Sequence, residues 1–202
     1  MLFRSQRGWR GGASHLYVQH GSTGLDGLAG SNDEQGHDLQ PRSLPTLSNL
    51  TLIHSWPYGR RERQAVAVRL SSGSGLTAND LLATRFLGGA IWAESRTVLL
   101  FEDGQSSVAS SLFYLNGGVD RRQLHGGLDA GVEFLGFRDP KLRDVRHFPN
   151  PDPRPKPDSP ALHDDGQGYI GAFGRNQNWL EEWTVFGPEP AYDTREETAD
   201  DR

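Results

Sequence analysis

The chain has 202 residues, 35% of them hydrophobic, with 25 glycines, no cysteine and a formal net charge of −5. That length suits one domain with a real core, and the low apolar share with high glycine favours many turns and narrow buried layers over a thick helical core. Disulfides, thiolate metal sites and a cysteine nucleophile are excluded, and Lys and Arg interleaved with Asp and Glu leave no basic face for nucleic acid.

The opening "MLFRSQRGWRGG" (1–12) carries basic residues but no apolar run that could form a signal-peptide core. No later stretch approaches the ~20 apolar residues of a membrane span. Short apolar alternations then recur between Gly, Ser and Asn clusters: "HLYVQH" (15–20), "LSNLTLIHS" (47–55), "QAVAVRL" (64–70), "LTANDLLATRF" (76–86), "GGAIWAE" (88–94), "TVLLFE" (97–102) and "VASSLFYLNG" (108–117). Their length and period of two predict strands, with no helical stripe before residue 120.

Three of the strands overlay. Asn49, Asn79 and Ser110 fall at matching points, which gives Leu52, Leu82 and Phe113 one shared inward position, and the register extends back to place His15 over Asn49, Val18 over Leu52 and His20 over His54. A period near 30 residues with short strands describes the coils of a solenoid, like residues stacking about 4.8 Å apart. An antiparallel sandwich with coincidental spacing is the alternative.

After Gly118 the pattern decays. The stretch 148–165 carries six prolines, which cannot donate to a sheet and favour an extended, wrapping path. Next comes "YIGAFGRNQNWLEEW", whose Tyr169, Phe173, Trp179 and Trp183 stand among glycines. It reads as a plug over the open end of the last rung or as a ligand platform. The divisions are therefore coils over about 9–147, a Pro-rich segment over 148–165, a cap over 166–187, and an acidic, disordered tail over 188–202.

The order "GWRGGASHLYVQHG" (8–21), "PRSLPTLSNLTLIHS" (41–55), "PDPRPKPDSPAL" (151–162) and "YIGAFGRNQNWLEEWTVF" (169–186) resembles the C-terminal half of bacterial cell-envelope, lipoprotein-like proteins of the pectin-lyase-like superfamily. In these a Gly-Trp-x-Gly segment precedes a strand, Pro-Arg-x-x-Pro-Thr leads into Asn-x-Thr-Leu, and the chain ends in a Tyr-x-Gly-Ala-Phe … Trp closure. The resemblance implies an all-β, right-handed parallel β-helix of about three to four coils and an extracellular or cell-envelope location. The family's activity is mostly unassigned, and the poorly spaced acidic residues of this chain favour a non-catalytic module that is structural or binds a polysaccharide or envelope glycan; a polysaccharide lyase or glycoside hydrolase is the alternative. Such relatives begin with a signal sequence and several coils, so the chain is expected to be a fragment whose missing N-terminal coils belong to a longer parent.

Lyase chemistry of this type needs acidic residues on calcium and a base beside the uronate. The loop "SNDEQGHDLQPR" offers Asp33, Asp38 and Arg42 as catalytic candidates and Asp33, Glu34 and Asp38 as calcium ligands, in a spacing that matches no defined calcium loop. A solvated loop is the bland reading, under which the protein holds no cofactor. His20 and His54 at rung spacing are either a ladder or a metal pair, and Asn49 and Asn79 read as an internal amide ladder. In "SWPYGRRERQ" (55–64), Trp56 and Tyr58 with Arg60 and Arg61 suit an acidic glycan, aromatic faces stacking on sugar rings and arginine forks gripping carboxylates. Loop aromatics also fold back on the coil below. No serine-hydrolase elbow, phosphate loop or His-Glu-x-x-His helix is present.

Overall fold

The computed structural model describes residues 3–6, 8–20, 26–33, 35, 38–54, 65–114, 124–125, 128, 131–136, 138–145, 151–164 and 168–181. Ten strands come first: β1 (Phe3–Gln6), β2 (Gly12–His20), β3 (Leu28–Ser31), β4 (Thr46–His54), β5 (Val66–Ser71), β6 (Thr77–Thr84), β7 (Gly89–Ala93), β8 (Ser107–Tyr114), β9 (Leu124–His125) and β10 (Val132–Phe134). The odd strands form one parallel sheet in the order β1-β3-β5-β7-β9, and the even strands form a second in the order β10-β8-β6-β4-β2. Each odd–even pair is one coil, and every coil bonds only to its neighbours, so the architecture is a parallel β-helix. Among the described residues the three to four coils read from the repeat become five strand pairs. The additional ones rest on β1 and on the two- and three-residue β9 and β10, which are too short to show a period.

The interior is built from side chains stacked rung on rung. Val18, Leu52, Ala83 and Phe113 form one such column in the even sheet, and Leu28, Val68, Ile91 and Leu124 form its counterpart in the odd sheet. Leu52, Val68, Ile91 and Phe113 are fully buried, each worth roughly 1.5–3 kcal/mol of transfer free energy.

A left-handed corner interrupts β2, β4, β6 and β8. His15, Asn49, Asp80 and Ser110 have φ of 54°, 53°, 56° and 49°, and the register of their neighbours stacks the four in a column. His, Asn and Asp tolerate this conformation better than most side chains. The corner explains an otherwise irregular burial pattern, in which Leu47 and Leu50, three residues apart, both point inward. The left-handed residue absorbs the extra position.

This corner corrects the predicted register. Asn49 lies over Asp80, not Asn79, and Asp80 over Ser110. Ala83 therefore takes the interior position, while Leu82 turns outward in register with Thr51 and Leu112. A shift of one residue exchanges the faces of a strand. Matching asparagine to asparagine misled the alignment, because Asp serves the corner equally well. Asn79 is exposed and Asn49 donates to the Tyr169 carbonyl at 3.4 Å, so the two do not form an amide ladder.

The segment read as strand 97–102 is helix α1 (Ser95–Glu102). Thr97, Val98, Leu100 and Phe101 are buried and Leu99 is exposed, a spacing of three and four that a four-residue apolar run conceals.

The rungs give way to β11 (Leu142–Asp144), which pairs antiparallel with β12 (Asp152–Pro155). Pro153 and Pro155 are buried in this edge pair, where their lack of an N–H costs little. The chain then crosses the outer face of the even sheet. Gly171 donates its N–H to the Asp80 carbonyl at 2.9 Å and Ala172 to Thr51 Oγ1 at 2.8 Å. Gly171 has φ of +102°, and a Cβ there would lie 2.7 Å from Thr51 Oγ1, so both conformation and contact require glycine. Ile170 and Ala161 cover Leu82 and Leu112, and Phe173 lies edge-on to Tyr17 at 5.2 Å. The aromatic segment thus closes the flank of the early rungs rather than the end of the last one. Trp183 and the acidic tail lie outside the described residues.

Candidate functional site

The loop that carries Asp38 and Arg42, after β3, is tied into the scaffold. Asp38 accepts Arg42 Nη2 at 2.9 Å on one oxygen and Arg96 Nη1 at 2.8 Å on the other. Arg42 also donates to the Gly73 carbonyl at 2.9 Å, and the Gly73 N–H donates to Glu94 at 2.7 Å. This network joins the loop to a rung corner and to α1. Asp33 accepts the Gln35 N–H at 2.8 Å in a local turn. Among the described residues no three His, Cys, Asp or Glu side chains are grouped to hold a metal ion. Glu34, Trp56, Tyr58, Arg60 and Arg61 lie outside the described residues.

His20 and His54 stack at 6.4 Å between ring centroids, both buried, with His54 edge-on to Phe86 at 5.5 Å. Burial pushes the His20 imidazole below its usual range, and the positive charge of a protonated His54 would push the same way. The pair is a ladder in an apolar setting. On the odd sheet Arg69 grips Asp26 with a fork of 2.7 and 3.2 Å and lies 5.0 Å over the Trp92 ring.

A broad recess forms where the C-terminal segment that crosses the even sheet (151–164 and 168–181, the arm) meets the corner column. Tyr169 crosses the middle of that column: its carbonyl accepts from Asn49 and its hydroxyl lies 3.1 Å from His15 Nε2. A cleft of about 1410 Å³ opens on the Ser110 side, lined among others by Glu133, Arg138, Asp158, His163 and Arg175. It exceeds the ~300–1,000 Å³ of small-molecule pockets and suits an extended chain. Its charge is mixed. The Lys141 ammonium, 2.6 Å from Asp158, holds that carboxyl below the usual carboxylate range. Burial pushes the Asp80 carboxyl up, with the His163 charge pulling it down. Arg143 donates to the Arg175 carbonyl at 2.8 Å, anchoring one wall of the cleft.

Of the cleft residues Ser110 stood out in the sequence as a repeat position and Tyr169 as part of the aromatic closure, while no motif links the others. His15 and Tyr169 are 154 positions apart and meet only when the arm folds back. The one available signal was the aromatic closure itself, which marks the arm without indicating its destination.

Residues 3–115 match the family described as pectate-lyase like beta helix domain, a span that contains β1 to β8 and ends before the arm. No curated protein and no solved structure gives a match. Since the matched rungs make up more than half of the 202 residues and fold as stacked parallel coils, the chain belongs to the pectate-lyase-like β-helix domain family.

Proposed function

We propose that the protein is a non-catalytic β-helix module of the cell surface or extracellular space that binds a polysaccharide or envelope glycan in the cleft between its rungs and its arm. The observation that carries this reading is the cleft of about 1410 Å³, open and lined by side chains of both charges. Polar groups spread along such a surface suit a hydroxyl-rich polymer. The arm that completes the cleft is fixed on the rungs by hydrogen bonds from Gly171 to the Asp80 carbonyl and from Ala172 to Thr51, so the surface is preorganised.

The family's name favours a second reading, a polysaccharide lyase using calcium. Asp38 and Arg42, two of its three sequence candidates, are engaged with each other and with Arg96 and Gly73. That arrangement supports a scaffolding role for the loop. Oligogalacturonate is to be titrated in the presence and absence of calcium while the absorbance of unsaturated product is followed. Binding without product is the expected result; product formation that Asp38→Ala abolishes would replace the binding reading with the lyase.

A further inference from the structure

The arm leaves a second, smaller cavity at the other end of the corner column. It measures about 500 Å³ and is lined by His15, Tyr17, Tyr169, Gly174, Gln177 and Trp179, together with Leu16 and Ala172. Tyr169, Gly174 and Gln177 also line the large cleft, so the two cavities adjoin along one stretch of the arm. Their chemistry differs. The large cleft carries Asp, Glu, Lys and Arg, whereas the described residues that line the small one include none of these four types.

The aromatic wall of the small cavity is held in place. Trp179 stacks on Phe173 at 4.8 Å with 8° between the planes, and its indole N–H donates to the Ala172 carbonyl at 2.9 Å. Phe173 in turn packs edge-on against Tyr17. Gly174 keeps the cavity open, since a Cβ there would approach the Tyr169 ring to 3.0 Å. Around this wall stand a carboxamide, an imidazole and a phenol, which between them both donate and accept hydrogen bonds.

We propose that this cavity holds one uncharged pyranose unit of the glycan whose remainder lies in the adjoining cleft. The inference rests on the glycan-binding reading and deepens it. A pyranose offers an apolar C–H face to an aromatic side chain and a rim of hydroxyls to Gln177, His15 and Tyr169. A uronate carboxylate in the same place would lose water and find no Lys or Arg among the described lining residues, an unfavourable exchange. The pocket therefore selects a neutral sugar at this position.

The test is calorimetric titration of the full chain with neutral hexasaccharides of glucose, mannose and galactose, and with hexagalacturonate. A neutral hexasaccharide is expected to bind, and Gln177→Ala and Tyr169→Phe each to weaken it about tenfold. Both are mild changes, the first at an exposed position and the second retaining the ring. Trp179→Ala is expected to remove binding, with circular dichroism reporting whether the rungs persist. If hexagalacturonate binds and no neutral sugar does, this inference fails and the glycan-binding reading stands. Neutral binding that none of the variants weakens also overturns the inference. If no glycan binds, both fail.

Discussion

The stacked rungs and the C-terminal arm both bury apolar side chains, but by different means. In the rungs each contact is repeated: Val18, Leu52, Ala83 and Phe113 occupy one column, and every inner strand is paired on both sides by parallel neighbours. The arm relies on contacts made once. Gly171 fits against Thr51, Ile170 covers Leu82 and Leu112, and Phe173 lies between Tyr17 and Trp179. Repetition makes stability a sum of similar neighbour terms, whereas single-use contacts make the arm separable from the body it covers. Both recesses lie along the boundary between the two regions, so binding depends on the less redundant of them.

The largest effect is expected in the rungs. Phe113→Ala removes a fully buried ring that also lies 5.3 Å from Phe134, and should cost about 3–5 kcal/mol in denaturant unfolding. A much smaller loss would mean that neighbouring rungs collapse into the space. Next comes the arm. Gly171→Ala forces a side chain into a left-handed conformation against Thr51 and should cost about 1–3 kcal/mol. Limited proteolysis should then release the arm while far-ultraviolet circular dichroism of the rungs is retained. Simultaneous loss of both signals would show that rungs and arm unfold as one unit.

The smallest effect concerns acid. Burial lowers the folded-state pKa of His20 below its unfolded value of about 6.5, so the unfolded chain binds the proton more readily. The stability that comes from neutral His20 is complete above about pH 6.5 and falls as the pH drops below it, toward the lowered folded-state value. His20→Phe should flatten this dependence below about pH 6.5 in thermal melts. An unchanged slope would assign the acid sensitivity to other groups, such as the carboxylates of the cleft.

The legibility of the sequence follows the same division. Pairing of His20 with His54 and of Val18 with Leu52 was readable because adjacent strands of equal length carry the same alternation. Asp80 and Leu82 were placed one residue out, since nothing local distinguishes Asn79 from Asp80 as the left-handed corner. Helix α1 was hidden because an apolar run this short satisfies both periods. The Asp38–Arg42 pair was visible as a cluster of charges, but its third member, Arg96, is 58 positions away. The cleft was invisible for a similar reason, with walls from β8, β10 and the arm that have no sequence relation.

The sequence by itself determined the solenoid: strand-length apolar alternations, corner residues that tolerate a left-handed backbone, and a period near 30 residues are local properties, and stacking follows from them. The tertiary structure decided which face each residue of β6 presents and where the arm lies. Outward-facing Leu82 and Leu112 are buried only because Ile170 and Ala161 arrive from the distant end of the chain. A one-residue slip leaves the composition of a strand unchanged while exchanging its faces, so the choice is made by burial energy across the whole molecule.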